Sequence, residues 1–569
     1  MLEFKLEEDV KNKIEDLTKI TKVISAIRLI LGINLIVWVI CFMSLQQYLL
    51  YGLISLASFF VMLVFVFFSN VYFKNLNLMK KKSKVYLMHY QRRKLDFSSF
   101  VDEGRDFLNK DDYKLADLDI FGSKSLFQYL NSCKTKLGRK LLAKMLTNPD
   151  KMPKEYTNCI YNMANDEKTL DIEAGLLEFD ASAKNINYDE FNSIYKSKIE
   201  FNYLFLVPLL FFILTIVCLF LAIFKVIPIF NIIYLLVVNF LSTAFLLKND
   251  IYSLDAFKYY NLCESYESLS NLIINLDFNS SYYDELKQKI KNNIDDLRRI
   301  KKVYLALSTR KNIVARIILN ALFIYDFWLI FIINRLVKNL SSLDELFSAI
   351  AVIEVMTSFS NIGIDNEQYC ISDDSSIIKG EEMYHPLVKD CISNSFTLSG
   401  GVILTGSNMS GKTTFMRTIG INQILYNASS IICAKSFSSS YLPIFTSLRA
   451  NDMLSEGIST FYAEILRMKK MNEAILNGRC LILVDEIFKG TNAYERIEAS
   501  LKIIDKFNSY NELFIISTHD FELCKAKNIL NYHFTEHYVD DKIAFDYKIK
   551  EGQSESTNAM YLLKMSGII

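Results

Sequence analysis

Between Leu29 and Phe73 the chain runs for 45 residues without one charged side chain, and this stretch limits what it can fold into more than any other. A second stretch, 204–247, carries only Lys225. A bilayer-crossing helix needs about 20 apolar residues, so each stretch is long enough for two crossings joined by a tight turn. The first divides at the polar SLQQ of 44–47 into spans over 29–45 and 49–69. The second divides at Lys225 into spans over 203–224 and 226–247. Core helices of soluble proteins seldom go so long without a charged face. A cleaved leader fits poorly, because 28 mostly polar residues precede the first run and a second run follows at once.

Lys and Arg near the ends set the orientation. Lys11, Lys13, Lys19, Lys22 and Arg28 precede the first hairpin, and Lys74, Lys80, Lys81, Lys82, Lys84, Arg92, Arg93 and Lys94 follow it. The turn at 44–48 has no charge. Both ends are therefore expected on the cytoplasmic side of the cell membrane, with everything that follows. The basic cluster also suits anionic lipid or nucleic acid, but 64 Lys+Arg against 63 Asp+Glu leave no global charge that favours nucleic acid. The ten cysteines are scattered, with no CxxC and no histidine at ligand spacing, which argues against a zinc site or a disulfide framework.

These runs divide the chain into 1–95 (basic segment and first hairpin), 96–200, 201–248 (second hairpin), 249–370 and 371–569. Within 96–200, SKSLFQYLNSCKTKLGRKLLAKML (123–146) reads as a helical segment. In 249–370 every segment reads as helix. Over 283–307, Leu286, Ile290, Ile294, Leu297, Ile300 and Tyr304 share one face, as in a long lever-like helix. The apolar segment 315–336 is interrupted by Arg316, Asp326 and Arg335 and reads as one buried helix, a fifth span being the alternative. From about 371, short Val/Ile/Leu runs alternate with helical ones, the pattern of a parallel α/β domain.

The chemistry lies there. GVILT (401–405) reads as a buried strand, and GSNMSGKT (406–413) fits G-x-x-x-x-G-K-[ST] before a helix. Gly406 and Gly411 let the backbone curl so that the N–H groups of Ser407, Asn408, Met409 and Ser410 cradle phosphates at a helix N-terminus, with Thr414 in its first turn. Lys412 reaches the β- and γ-oxygens, and the Thr413 hydroxyl meets Mg2+. CLILVDE (480–486) is a strand ending in two acids, Asp485 for the Mg2+ shell and Glu486 to polarise the attacking water. LFIISTHD (513–520) ends in His519, placed to sense the γ-phosphate. Together the three motifs point to ATP as the ligand.

HPLV (385–388), TGSNMSGKTTFMRTIG (405–420), STFYAEI (459–465), LVDEIFKGTN (483–492), STHDFEL (517–523) and FDYKIKEGQSESTNAMYLLKMSGI (545–568) together resemble the ATPase domain of MutS-type proteins, relatives of the ABC ATPases. The resemblance covers 310–569 strongly and 100–200 weakly, the latter through LDIFGSKSLFQYLNSCKTKLGRKLLAKML (118–146). It implies an α/β P-loop NTPase of the ABC/MutS type at the C-terminus, here preceded by an all-α core and lever region with two transmembrane helical hairpins. It also implies a homodimer through the ATPase domain, in which Ser459 reaches the partner's γ-phosphate. Asn408 helps position phosphate or water, and His385 and Tyr547 lie near the adenine. Ser407 and Ser410 stand where proline and glycine are common in mismatch-repair members. No Phe-x-Glu wedge occurs before the ATPase domain; Phe534-Thr535-Glu536 matches only by letters. The second hairpin interrupts the region where a DNA-gripping clamp is expected. The expectation is a multi-pass, membrane-anchored MutS-like ATPase using ATP and Mg2+, with DNA as candidate substrate. The alternatives are an ABC-like transporter or membrane remodeller, or a nucleotide-driven scaffold. Small uncharged residues such as Asn34, Ser55, Thr215 and Asn239 in the spans argue against a charged pathway.

Overall fold

The computed structural model describes residues 2–44, 48–109, 112–179, 183, 191, 206–228, 230–244, 256–310, 312–338, 340, 343–407, 409–448, 460–488, 492–539 and 542–554. The first apolar run forms the distal half of two long paired helices, α1 (Leu2–Ser44) and α2 (Tyr48–Arg93). Each helix continues well past the apolar run, because the flanking Lys-rich sequence has good helix formers and neither Pro nor Gly. The outer faces are apolar and open, with Leu29 68%, Ile30 65% and Phe67 66% exposed. Arg28 Nη1 donates to Ser69 Oγ at 2.9 Å where the charged halves begin.

The helical region follows as α3 (Tyr113–Asp117), α4 (Leu126–Leu130), α5 (Lys136–Thr147), α6 (Lys154–Ala164) and α7 (Lys168–Leu176). The helix read through 123–146 is therefore two helices. Thr135 caps α5 by accepting from Gly138 N at 3.0 Å, and the buried Glu354 carboxylate accepts from Lys134 N at 2.7 Å and Thr135 N at 2.9 Å. These bonds take up the amides that a continuous helix would have used.

The second apolar run gives α8 (Leu206–Ile223) and α9 (Phe230–Ala244), the latter lying within the span expected over 226–247. Then come α10 (Ala256–Asn275), α11 (Ser281–Arg310), α12 (Ile313–Phe323), α13 (Tyr325–Val337) and α14 (Asp344–Asp365). All six face residues of the lever-like helix are buried. The single helix expected over 315–336 is instead α12 and α13, bent by 89° at Ile324, whose φ of 44° and ψ of 48° are left-handed. Nor is the pair simply buried: Val314, Ile318, Phe323, Trp328 and Phe331 are each at least 43% exposed. By length and hydropathy α14 also qualifies as a span, but its apolar stretch is 78% buried inside the protein, so it is a core helix.

One large core joins α3–α7, α10, α11, α14 and the near side of the C-terminal domain. The root of α2 enters it through a buried charge cluster. His89 lies between two carboxylates, with Nδ1 2.9 Å from Asp365 and Nε2 2.8 Å from Glu173. Arg92 donates to Tyr129 O and Ser132 Oγ, both at 3.0 Å, and Arg93 Nε lies 3.3 Å from Asp365. Burial opposes protonation of His89, but Asp365 and Glu173 outweigh it and raise its pKa to about 9. Burial works against ionisation of Glu173 too, yet His89, Arg92 and Ser132 lower its pKa to about 2.

The C-terminal domain is α/β. Its principal sheet contains β1 (Gly401–Thr405), β2 (Ile444–Ser447), β3 (Leu481–Asp485), β4 (Leu513–Ser517), β5 (Ile529–Val539) and β6 (Lys542–Glu551), in the spatial order β6-β5-β1-β4-β3-β2. All neighbours are parallel except β5 and β6. The central strands β1, β3 and β4 are almost wholly buried, as continuous apolar runs between helices require. Helices α15 (Lys412–Ser429), α16 (Thr460–Ala474) and α17 (Ala493–Ser509) flank the sheet, and a four-stranded sheet over 373–439 lies beside it.

Candidate functional site

Parallel sheets gather loops at the carboxyl ends of their strands, and here the registers bring three ends level. Ser517 of β4 pairs with Asp485 of β3 on one side and with Leu404 of β1 on the other. At these ends lies a cavity of about 1020 Å3 lined by Ser407, Met409, Gly411, the first turns of α15, Asp485, Glu486, the turn 388–392 and 545–547. That volume suits a nucleotide-sized ligand.

Gly406 and Gly411 hold the loop through positive φ values of 139° and 107°. A side chain at Gly406 would meet Phe534 O at 2.8 Å, so only glycine fits there. The Lys412 ammonium is buried inside the loop's arc and donates to Gly406 O at 2.7 Å and Ser407 O at 2.9 Å. Ser410 Oγ donates to Ser407 O at 2.8 Å, and Ser407 Oγ donates to Glu536 of β5. Met409 projects outward, 86% exposed. Thr413 Oγ1 donates to Asp485 Oδ2 at 2.8 Å, and Ser517 Oγ donates to the other carboxylate oxygen. Thr414 lines the cavity beside them.

Glu486 takes a φ of 59° just past β3, a conformation that costs about 1–3 kcal/mol and recurs at functional sites. Its N–H donates to Ser517 O at 3.0 Å, and its carboxylate lies 3.1 Å from His519 Nε2. Arg496 of α17 holds the adjoining Asp520 through two bonds of 2.7 and 2.8 Å, fixing the turn that carries His519. Lys412, Thr413, Asp485, Glu486 and His519 thus converge. The donor set suits a divalent cation and a phosphate chain: an oxygen pair, Thr413 and Asp485, with an ammonium alongside.

Tyr547 borders the cavity and passes over Gly411, where an added Cβ would lie 3.2 Å from its ring. Asn394 holds that strand, donating to Tyr547 O at 2.9 Å and accepting from Ile549 N at 2.9 Å. His385 is buried rather than among the residues lining the cavity. Its Nδ1 accepts from Leu387 N at 3.2 Å, and burial together with nearby Arg417 lowers its pKa to about 4. The turn it anchors, Val388 to Ile392, supplies the wall instead. Asn408 and Ser459 lie outside the described residues. The motifs carried no indication of Ile392, Asn394 or Glu536, because these come from loops and strands with no phosphate-binding pattern, and Val388 entered only as the last residue of HPLV. Ser517, by contrast, was within the STHD motif.

Residues 402–568 match the family model described as MutS domain V. The chain is 28% identical over 247 residues to the DNA mismatch repair protein MutS of Protochlamydia amoebophila, covering 39% of this chain and 28% of that one. To the protein of the same name from Leptospira interrogans it is 34% identical over 178 residues, 29% of this chain and 20% of the relative. To that of Aquifex pyrophilus it is 30% identical over 204 residues, 33% and 23%. The chain thus spans less than a third of the length of these curated relatives.

Proposed function

We propose, from the premise that residues 402–568 make this chain a member of the MutS family, that it is a membrane-anchored ATPase working as a dimer and acting on DNA. The observation that carries the ATPase reading is the convergence of Lys412, Thr413, Asp485 and Glu486 on one cavity at the strand ends. Lys412 would exchange its two loop carbonyls for phosphate oxygens, so its ammonium keeps hydrogen-bond acceptors with and without nucleotide. Thr413 and Asp485 would hold Mg2+, which supplies charge neutralisation to the β- and γ-oxygens. Glu486 takes a proton from the attacking water. The oxygen of that water bonds to the γ-phosphorus, the bond to the ADP oxygen breaks, and phosphate and ADP leave. His519 orients Glu486 from 3.1 Å. Tyr547 and the turn 388–392 form the wall for the base, Asn408 joins the phosphate loop, and Ser459 of a second copy completes the site.

Anchoring in the cell membrane, with the N-terminus and ATPase domain cytoplasmic, is supported by the open apolar faces of α1, α2 and α8, the last with only 11% of its apolar stretch buried. The DNA reading rests on the relatives' shared name, DNA mismatch repair protein. The test is the ATPase rate of the full chain in nanodiscs against duplex, mismatched, branched and single-stranded DNA. Glu486→Gln is expected to lower the rate by about 10²–10⁴-fold, the range for loss of a general base. A rate that responds to one DNA form supports the reading; a rate abolished by Glu486→Gln yet indifferent to every DNA moves the assignment to a membrane remodeller or scaffold.

A further inference from the structure

Helices α11 and α14 pack in one buried core, with Ile300, Val303 and Leu307 of the first and Leu346, Phe347 and Ile350 of the second in the same cluster. The chain between them must therefore leave and return on one side, which rules out a single crossing by 313–337. Two crossings are also excluded, since the 11 and 13 residues of α12 and α13 reach only about 16 and 20 Å against a hydrocarbon core of about 30 Å.

Yet this V-shaped pair is built as a membrane element. Its apex docks on the candidate span α8, with Ile324, Phe327 and Ile330 against Leu209 and Phe212. Its outer face is apolar and exposed at Val314, Ile317, Ile318, Leu322, Trp328 and Phe331. The bend frees backbone groups that a solvated loop would leave to water. Two of these are satisfied from within: Ala321 O accepts from Asn239 Nδ2 of α9 at 3.3 Å, and Asp326 N donates to Asn320 Oδ1 at 2.8 Å. Arg316 Nε lies 3.5 Å from the fully buried Asp326 carboxylate across the bend, and Asn239 also donates to Thr215 of α8 at 3.0 Å. Non-helical backbone at membrane depth is tolerated only where protein seals it in this way, and intramembrane charges face inward and pair.

We infer that α12 and α13 form a re-entrant element that dips into the bilayer from the cytoplasmic side, seals its bend against α8 and α9, and presents its outer face to lipid chains. With arms set at nearly a right angle, the apex reaches about 11–14 Å deep, by the helix rise. This rests on the membrane reading of the hairpins.

The chain has two tryptophans, Trp38 in the first hairpin and Trp328 on the outer face of α13, so each can report alone. Full-length Trp38→Phe and Trp328→Phe proteins, each checked for retained ATPase activity, are placed in nanodiscs of lipid with or without brominated acyl chains. Brominated lipid is expected to remove about half or more of the emission of either tryptophan. In parallel, an impermeant amine reagent on sealed inverted vesicles is expected to modify Lys302 before the element and Lys338 after it alike. If Trp38 is quenched and Trp328 is not, the re-entrant element is overturned and the membrane reading stands. If neither is quenched, the membrane reading itself falls. If Trp328 is quenched but only one of the two lysines is modified, 313–337 is a span and the inference is wrong.

Discussion

The two apolar parts of this molecule have similar compositions but are tied to the rest in opposite ways. The α1–α2 hairpin has little polar chemistry along its distal half and is fastened at its root, where His89, Arg92 and Arg93 lock into Glu173 and Asp365. The α8–α9 pair with α12 and α13 is fastened along its length, by an internal seam of Thr215, Asn239, Asn320, Arg316 and Asp326. A rod fixed at one end can pivot, whereas a bundle stitched through its middle moves as a block. The contrast is between an attachment at one joint and an attachment along a seam.

The largest way to break it is at the root. Asp365→Asn leaves His89 and Arg93 short of a buried partner and is expected to cost about 3–5 kcal/mol, read as a fall in the thermal unfolding midpoint in detergent. The same cluster sets a pH window. The folded pKa of His89, about 9, lies above the ordinary value of 6.5, so the fold favours its protonated form. That stabilisation is complete below pH 6.5, erodes above it and is gone once pH passes about 9, a loss on the order of a few kcal/mol. Hydrogen-exchange protection in α2, corrected for the intrinsic base-catalysed rise of exchange with pH, should therefore fall between pH 7 and 10, and His89→Gln should flatten that dependence. A profile unchanged by the substitution would show that the joint is not ionic. In the second lobe, Asn239→Leu removes two interhelical bonds and is expected to cost only about 0.6–1.7 kcal/mol, the range for such bonds in bilayers. Smallest is Lys82→Ala on the flank of α2. Its pair with Asp171 is part-exposed, and its loss should cost less than about 1 kcal/mol and vanish in high salt.

Legibility in the sequence followed locality. The phosphate loop was readable because its backbone path is dictated within eight residues, by Gly406, Gly411 and the helix that opens at Lys412. The acids at the end of β3 and the histidine after β4 were readable because strands of a parallel sheet end on the same side. The apolar runs were readable by length, but their architecture was not. Nothing in an isoleucine announces the left-handed turn at Ile324, which lies where the bend packs on α8. The partners of His89 stand 84 and 276 residues away, a separation no periodicity reports. His385 was expected near the base through a family pattern, and what lies in the cavity wall is the turn just after it.

Helix α2 is a single element of 46 residues, about 69 Å from end to end. Asp365, which grips its root, is the last residue of α14, and the first strand of the C-terminal domain begins five residues later at Cys370. The root of the helix is therefore held at the point where the chain passes from α14 into the C-terminal domain. A tilt of about 5° at that root would carry its far tip about 6 Å, given that length, so a small shift at the end of α14 is magnified along the whole helix.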